Sequence, residues 1–329
     1  MPNEDLLDLA RIRRAAERLR GRMFNPPCRR SEWLSDAAGR DVWLKLEIVQ
    51  PTSSYKIRGA FNAALVLRER YGDAAPPLVT ASAGNHGRAL AYAARALSLP
   101  LTVYVARNAP RAKVDAIRAC GAALEMRVDY DAAEHDAKRH ASQSSDLFIS
   151  PYAHPDVIAG AGTIGLELLE QFPELTDVVV PVGGGGLISG IAIALKTLAS
   201  RVRITGVEVA ASCPFTRSLE AGRIVKIAVG DSLADGLTGN LDPDTMTFDL
   251  VREFVDRIVV VDEAEVAAAM AALADHEHVI AEGAAATGVA ALAAGRAELA
   301  GAHVAAVLTG ANVDRNRLLQ VLRDAGRQT

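Results

Sequence analysis

The chain is poor in cysteine, with three in 329 residues: Cys28, Cys120 and Cys213, far apart and without a CxxC pair. An odd and scattered set excludes a disulfide framework and a thiolate zinc site, and it suits a reducing cytoplasm. No basic block of five or more residues occurs, and the formal net charge is -4. That argues against nucleic acid and against an anionic membrane surface as partners. Arginines at 11–14 and 18–22 lie at helical spacing and read as a solvated helix face. No uninterrupted apolar run reaches about 18 residues, and no charged-then-apolar-then-small segment opens the chain. What the chain does have is a 50% hydrophobic composition over a length that fits one large domain or two medium ones with well-buried cores. The expectation is a soluble cytoplasmic protein without a membrane span.

Residues 5–22 place Leu6, Leu9, Ile12 and Leu19 on one side of a helix, which Pro26-Pro27 ends. Residues 42–47 alternate as a strand, and 59–67 read as a helix. The turn-rich stretch 72–77 marks a crossing point between domains. Beyond it, strands at 78–80, 101–105, 122–128 and 147–149 alternate with helices at 86–98, 110–120 and 131–143. A second series follows Pro151, with helices at 157–172 and 187–199 and strands at 177–182 and 202–208. Residues 211–250 are less regular. A strand at 257–261 leads into helices from 262 and from 283, then a strand at 304–308 and a last helix from about 314. The alanine-rich run 264–300 carries ordinary helical periodicity. Strands alternating with helices imply parallel sheets with helical crossovers. The expected fold is two-domain α/β, with open, mainly parallel twisted sheets flanked by helices.

Four stretches carry the candidate chemistry. Pro51-Thr-Ser-Ser-Tyr-Lys-Ile-Arg-Gly59 sets Lys56 after Tyr55 at a strand-to-helix junction, where two rigid elements can aim a side chain into a cleft. Gly183-Gly-Gly-Gly-Leu187 follows a valine-rich strand and opens a helix. Its backbone N–H groups can turn toward one point, with the helix dipole adding positive potential, which makes a cradle for an anion such as a phosphate. The dinucleotide fingerprint fails in register, because positions 188 and 189 are Ile and Ser. Glu208 nevertheless lies near where a ribose-binding acid would sit, so a Rossmann reading remains open. A P-loop is excluded, since no Gly-Lys-Ser/Thr follows. Ser82-Ala-Gly-Asn-His-Gly87 follows a strand and opens a helix, which suits a carboxylate or a phenolate-type oxygen. A plain N-cap turn by Ser82 or Asn85 would also explain it. Thr309-Gly-Ala-Asn-Val-Asp314 follows the last strand. In an open parallel sheet, ligands collect outside the carboxyl ends of strands.

Taken together, these stretches resemble the four signatures of the pyridoxal-phosphate enzymes of the tryptophan-synthase-β fold type (fold type II), most closely the threonine/serine dehydratases and serine racemases. The resemblance runs in order from about residue 10 to 320. It implies residues 1–72 and 152–329 as a large cofactor-binding domain, and 73–151 as a small mobile domain carrying the substrate loop. By position, Lys56 is similar to the lysine that holds the cofactor as a Schiff base, and Tyr55 to a residue packed on its pyridine ring. Asn85 matches the partner of the phenolic oxygen, and Gly183, Gly184, Gly185, Gly186 and Leu187 match the phosphate loop. Thr309 stands where a Ser or Cys meets the pyridine nitrogen, and Glu282 resembles a glutamate near the ring. Ser82, Ala83, Gly84, Asn85 and His86 match the loop that takes the substrate carboxylate.

The activity so implied is dehydration and deamination of an L-β-hydroxy amino acid, such as L-threonine or L-serine, to a 2-oxo acid and ammonia. Alternatives on the same fold are an amino-acid racemase and a β-replacement synthase, and outside it a non-catalytic ligand-binding protein or a dehydrogenase. Ala83 replaces the serine that racemases of this family use as the base on the second face. Pro214 stands where cation-binding members carry an acid six residues after Glu208, so no metal site is expected. Ala161 replaces a common family Gln. The family habit is a homodimer.

Overall fold

The computed structural model describes residues 7–325 and has two sheets, the strands of the smaller falling in sequence between the second and third strands of the larger. The chain begins with α1 (Leu9–Leu19), β1 (Cys28–Arg30), α2 (Glu32–Ala38), β2 (Asp41–Leu46) and α3 (Lys56–Tyr71). It continues through β3 (Leu78–Ala81), α4 (Asn85–Ala96), β4 (Leu101–Ala106), α5 (Arg111–Arg118), β5 (Ala123–Arg127), α6 (Tyr130–Gln143) and β6 (Leu147–Phe148). Next come α7 (Pro155–Gln171), β7 (Asp177–Pro181), α8 (Gly186–Leu198), β8 (Arg203–Val209), α9 (Pro214–Ala221) and α10 (Met246–Phe254). The last elements are β9 (Arg257–Val261), α11 (Glu263–Glu277), α12 (Gly283–Ala293), β10 (His303–Leu308) and α13 (Arg315–Ala325).

The larger sheet has the order β1-β2-β10-β7-β8-β9, and the smaller one β5-β4-β3-β6. Pairing is parallel throughout except where β1 meets β2. Parallel strands need helical cover on both faces, which is why the central strands read as unbroken apolar runs. Val178, Val179 and Val180 of β7 have no exposed surface, nor do Val304, Ala305 and Ala306 of β10. One apolar cluster packs α11, α12 and α13 on one face of the larger sheet, and another packs α7, α8 and α10 on the other. A separate cluster joins α3 and α4 to the smaller sheet.

Several element bounds differ from the sequence expectation. The first helix begins at Leu9, where the Asp8 carboxylate accepts the Arg11 N–H at 2.8 Å, and its buried face is Ile12, Ala15 and Leu19. Leu6 lies outside the described residues. Helix α3 starts at Lys56 itself, not at Gly59. Two helices, α9 and α10, flank the stretch expected to be less regular, and between them residues 222–245 hold a single short 3-10 turn. The short β1 and α2 are also additional. Helix α2 has its signals in place, with Ser31 accepting the Leu34 N–H and Gly39 closing it in the left-handed region, but seven residues are too few to show a period. Helix α12 does not follow ordinary amphipathic spacing. It is buried on all sides from Gly283 to Leu292, so its alanines are core residues rather than a polar-facing run.

Candidate active site

Lys56 sits where two loops are laced together by backbone hydrogen bonds. The Tyr55 N–H donates to the Thr309 carbonyl at 2.9 Å, and the Ala311 N–H donates to the Ser53 carbonyl at 2.9 Å. Ser53 accepts a left-handed backbone (φ 56°) to make the turn, a conformation that costs a β-carbon residue about 1 kcal/mol and persists only when its surroundings enforce it. The Lys56 ammonium donates to the Pro151 carbonyl at 2.8 Å and lies 5.2 Å from the Tyr55 ring centroid. Lys56, Tyr55, Pro151, Ala161, Gly186 and Leu187 line one small cavity. The lysine and the end of the glycine loop therefore share a space.

Behind Lys56, the helix is anchored by a buried ion cluster. Arg58 is 1% exposed and uses all five of its N–H donors. They go to both oxygens of Glu47 (2.8 and 2.8 Å), to both oxygens of Glu167 (2.6 and 2.8 Å) and to Thr163 Oγ1 (2.9 Å). Lys45, fully buried, gives its three donors to Glu167, Gln171 and the Pro26 carbonyl. Two cations and two carboxylates cancel, so no buried charge is left uncompensated. The cluster ties the first turn of α3 to the end of β2 and to α7.

Thr309, 3% exposed, directly follows β10. Across from it, the Glu282 N–H donates to the Gly310 carbonyl at 3.0 Å. A Cβ at 310 would come within 2.4 Å of Glu282 Oε1, so any other residue there must push that carboxyl aside. Asn85 Nδ2 donates to that same Oε1 at 2.6 Å, and Asn85 Oδ1 accepts from Asn312 Nδ2 at 2.7 Å. Asn312 also donates to the Thr52 carbonyl at 2.9 Å and accepts from Arg88 Nη1 at 2.5 Å. Residues of α4 are thus tied to the loops of the larger sheet through one amide pair. Glu282 is 5% exposed, and burial, with the negative Asp235 as the next cause, pushes its carboxyl up from 4.5 to about 7. At neutral pH it is an acid able to hold or release a proton.

The 82–86 stretch is not a side-chain N-cap. Gly84 occupies the cap position of α4 with no side-chain hydrogen bond, and Ser82 Oγ instead accepts the Gly84 N–H at 3.2 Å. Asn85 and His86 are the first helical residues. Ala83 packs against the apolar cluster of the smaller sheet. His86 is 2% exposed and holds the helix start to the end of β6. Its Nε2 lies 3.2 Å from the Ile149 carbonyl, which can only accept, so Nε2 carries the proton. Burial first, then the nearby Lys56, pull its pKa down to about 3. It is a neutral packing residue and not a base.

The glycine loop runs from the end of β7 into α8, with Gly185 left-handed (φ 85°, ψ −9°) as the residue before the helix. This geometry delivers the N-terminal amides of a thirteen-residue helix to the cavity shared with Lys56. Glu208 does not face this space. It is fully buried, and both of its oxygens accept from the start of α9, so the ribose-binding role is ruled out for it. Sequence reasoning missed Asn312, Arg88 and Thr247. Asn312 lay inside a stretch already singled out. Thr247 lay in one that looked irregular.

Tested against pyridoxal phosphate, the set fits: an amine at a helix start, an amide cradle for an anion, a carboxamide beside a buried acid, and a neutral hydroxyl at a strand end. The family described as pyridoxal-phosphate dependent enzyme matches residues 20–310 of the chain. The L-threonine ammonia-lyase of Thermotoga maritima is 37% identical over 318 residues, 96% of this chain and 78% of that one. The catabolic L-threonine dehydratase of Escherichia coli K12 is 34% identical over 310 residues, 93% of each. Among solved structures, maize serine racemase superposes with a TM-score of 0.88 at 30% identity, over 98% of both chains.

Proposed function

The chain belongs to the family of pyridoxal-phosphate dependent enzymes, and from that premise we propose that it is an ammonia-lyase acting on an L-β-hydroxy amino acid such as L-threonine or L-serine. The observation that carries this reading is the lacing of the Lys56 turn to the Thr309 loop beside the glycine cradle. Lys56 would hold the cofactor through its amine, Tyr55 would cover its ring, and the amides of Gly183, Gly184, Gly185, Gly186 and Leu187 would take its phosphate. Asn85 would meet its phenolic oxygen, with Glu282 behind, and Thr309 its ring nitrogen. When bound, pyridoxal phosphate supplies an electron sink for the pair released at the substrate α-carbon.

The protein's own residues do the rest. Ser82, Ala83, Gly84, Asn85 and His86 form the loop at the α4 N-terminus that takes the substrate carboxylate, through the amides of Ala83, Asn85 and His86, since the Ser82 and Gly84 N–H groups already donate to the Tyr104 carbonyl and to Ser82 Oγ. The Lys56 amine, once free, takes the α-proton on one face. Loss of the β-hydroxyl as water leaves an enamine, and its hydrolysis gives the 2-oxo acid and ammonia. Racemisation needs a second proton carrier on the other face, and Ala83 has none to offer.

Residues 1–72 and 152–329 act as the cofactor-binding body and 73–151 as the mobile part. The working form is a homodimer, and the exposed Phe24 (59%) and Val49 (44%) are candidate contact residues for it. A cytoplasmic location is supported by three free cysteines. Among the described residues no helix is long and apolar enough to cross a membrane. The test is a panel of β-hydroxy amino acids assayed for 2-oxo acid release. Release that is lost in Lys56→Ala supports the proposal, and no release from any of them sinks it.

A further inference from the structure

Residues of α9 and α10 pack beneath the glycine loop. The Gly184 carbonyl accepts from Thr247 Oγ1 at 2.8 Å. In a planar trans peptide the C=O and N–H point to opposite sides, so this bond turns the Gly185 N–H away from Thr247. A Cβ on Gly185 would lie 2.5 Å from Phe215 Cζ and 3.1 Å from Thr247 Cβ. The Phe215 ring and Thr247, both fully buried, therefore fill the space behind that peptide.

Phe215 is itself held in place. Its N–H donates to Glu208 Oε1 at 2.8 Å, while the Thr216 N–H and Oγ1 donate to Glu208 Oε2 at 2.8 and 2.7 Å. Pro214 opens α9 and has no N–H, so the next orphan donors of the helix are those of 215 and 216. Glu208, reaching across from β8, takes both. A buried carboxylate with three donors at the positive end of a helix is well compensated. A hard divalent cation does not fit there, because it needs bare carboxylate oxygens and several further oxygen ligands. Both Glu208 oxygens face N–H or O–H donors instead, and Pro214 brings no ligand. Among the described residues no group of three His, Cys, Asp or Glu could hold a metal.

We propose that Thr247 directly, and Glu208 through Phe215, are positioning residues for the 183–186 loop, fixing the Gly184–Gly185 peptide so that its N–H faces the cofactor phosphate without help from a divalent cation. This rests on the reading that the loop holds that phosphate.

The test compares Thr247→Val, which keeps the shape and removes the hydroxyl, with Glu208→Gln and the unmodified full-length protein, each freed of cofactor. Pyridoxal phosphate, pyridoxal and inorganic phosphate are titrated separately, and melting temperature is recorded. Pyridoxal phosphate and inorganic phosphate should each bind about tenfold more weakly to both variants, the loss of one net hydrogen bond. Capture of pyridoxal, which lacks the phosphate, should stay within about twofold. Chelator should leave the unmodified protein unchanged, and magnesium or calcium should not rescue the variants. Parallel weakening of pyridoxal and pyridoxal phosphate would mean a merely structural role and overturns the proposal. So does unchanged pyridoxal phosphate binding in Thr247→Val, or rescue by either cation. A protein that binds inorganic phosphate, loses it in the variants, yet takes up no pyridoxal phosphate would uphold this inference and refute the cofactor reading. Binding of neither by the unmodified protein overturns both.

Discussion

Replacing Glu282 with Gln should flatten part of the pH dependence of stability, and the size of the effect follows from the site. The carboxyl is 5% exposed, accepts from Asn85 Nδ2, and sits with its pKa pushed up by burial, then by Asp235, to about 7 from an ordinary 4.5. The folded state thus binds this proton more tightly than the unfolded chain does. The stabilisation is fully present below pH 4.5, fades as pH rises, and is lost above pH 7. At 1.36 kcal/mol per tenfold change it amounts to about 3 kcal/mol. Gln keeps an oxygen to accept from Asn85 and cannot ionise, so it stands in for the protonated acid. Urea unfolding of both proteins at pH 5, 7 and 9 should show similar stabilities at pH 5. By pH 9 the variant should be ahead by about 3 kcal/mol. Glu134 and Glu208, also raised by burial, are common to both proteins and cancel in the difference. Infrared spectra should show a protonated carboxyl that titrates near pH 7 and is missing from the variant. A stability difference that does not change with pH, or that moves the opposite way, would refute the reasoning.

Borohydride reduction of the purified protein followed by peptide mapping should place a phosphopyridoxyl group on Lys56; a colourless protein that is not labelled after addition of cofactor counts against the assignment. Gly185→Val should weaken pyridoxal phosphate binding at least tenfold, because the residue is left-handed and a Cβ would meet the Phe215 ring; equal affinities in a fluorescence titration would locate the phosphate elsewhere. Arg58→Met should destabilise the fold by about 3–5 kcal/mol by stranding Glu47 without its cation and leaving Glu167 with Lys45 alone, and an unchanged unfolding midpoint would contradict that. In deuterated water with L-serine, oxo-acid release should outpace D-serine formation, and Ala83→Ser should raise the D-isomer; chiral chromatography showing D-serine first in the unmodified protein would defeat the dehydratase reading.

Much of the fold could be read from local pattern because its strongest elements carry their own signals. The valines of β7 and β10 are buried on both faces and so appear as unbroken apolar runs, and amphipathic helices such as α1 and α4 show their period. The short β1, α2, α9 and α10 did not declare themselves. Helix α9 is the instructive case. Its start has a proline and no capping side chain of its own, since the cap comes from Glu208 on β8, and a window on residues 211–221 holds no sign of that partner. The same division runs through the site. Lys56, the glycine loop, Asn85 and Thr309 stand out because loop chemistry is local. Their supports, Asn312 behind Asn85 and Thr247 behind Gly184, are set by tertiary contact.

Glu282 owes its chemistry to tertiary contact as well. Its position could be named from resemblance, yet nothing around it in sequence foretells ionisation near neutrality. That property arises because α4, the loop after β10, and the turn holding Asp235 close over one carboxyl. Burial supplied by three distant segments outweighs the donors from Asn85 and the Asn312 backbone. A Gly310 replacement would test that account independently of Glu282 itself. Any Cβ at 310 must displace the carboxylate, which lies only 2.4 Å away, and so open it to water. In Gly310→Ala the infrared titration of Glu282 should move down toward its ordinary 4.5 even though every ionisable group is retained. A titration that stays near pH 7 in that variant would mean that Asp235, rather than enclosure, holds the proton on.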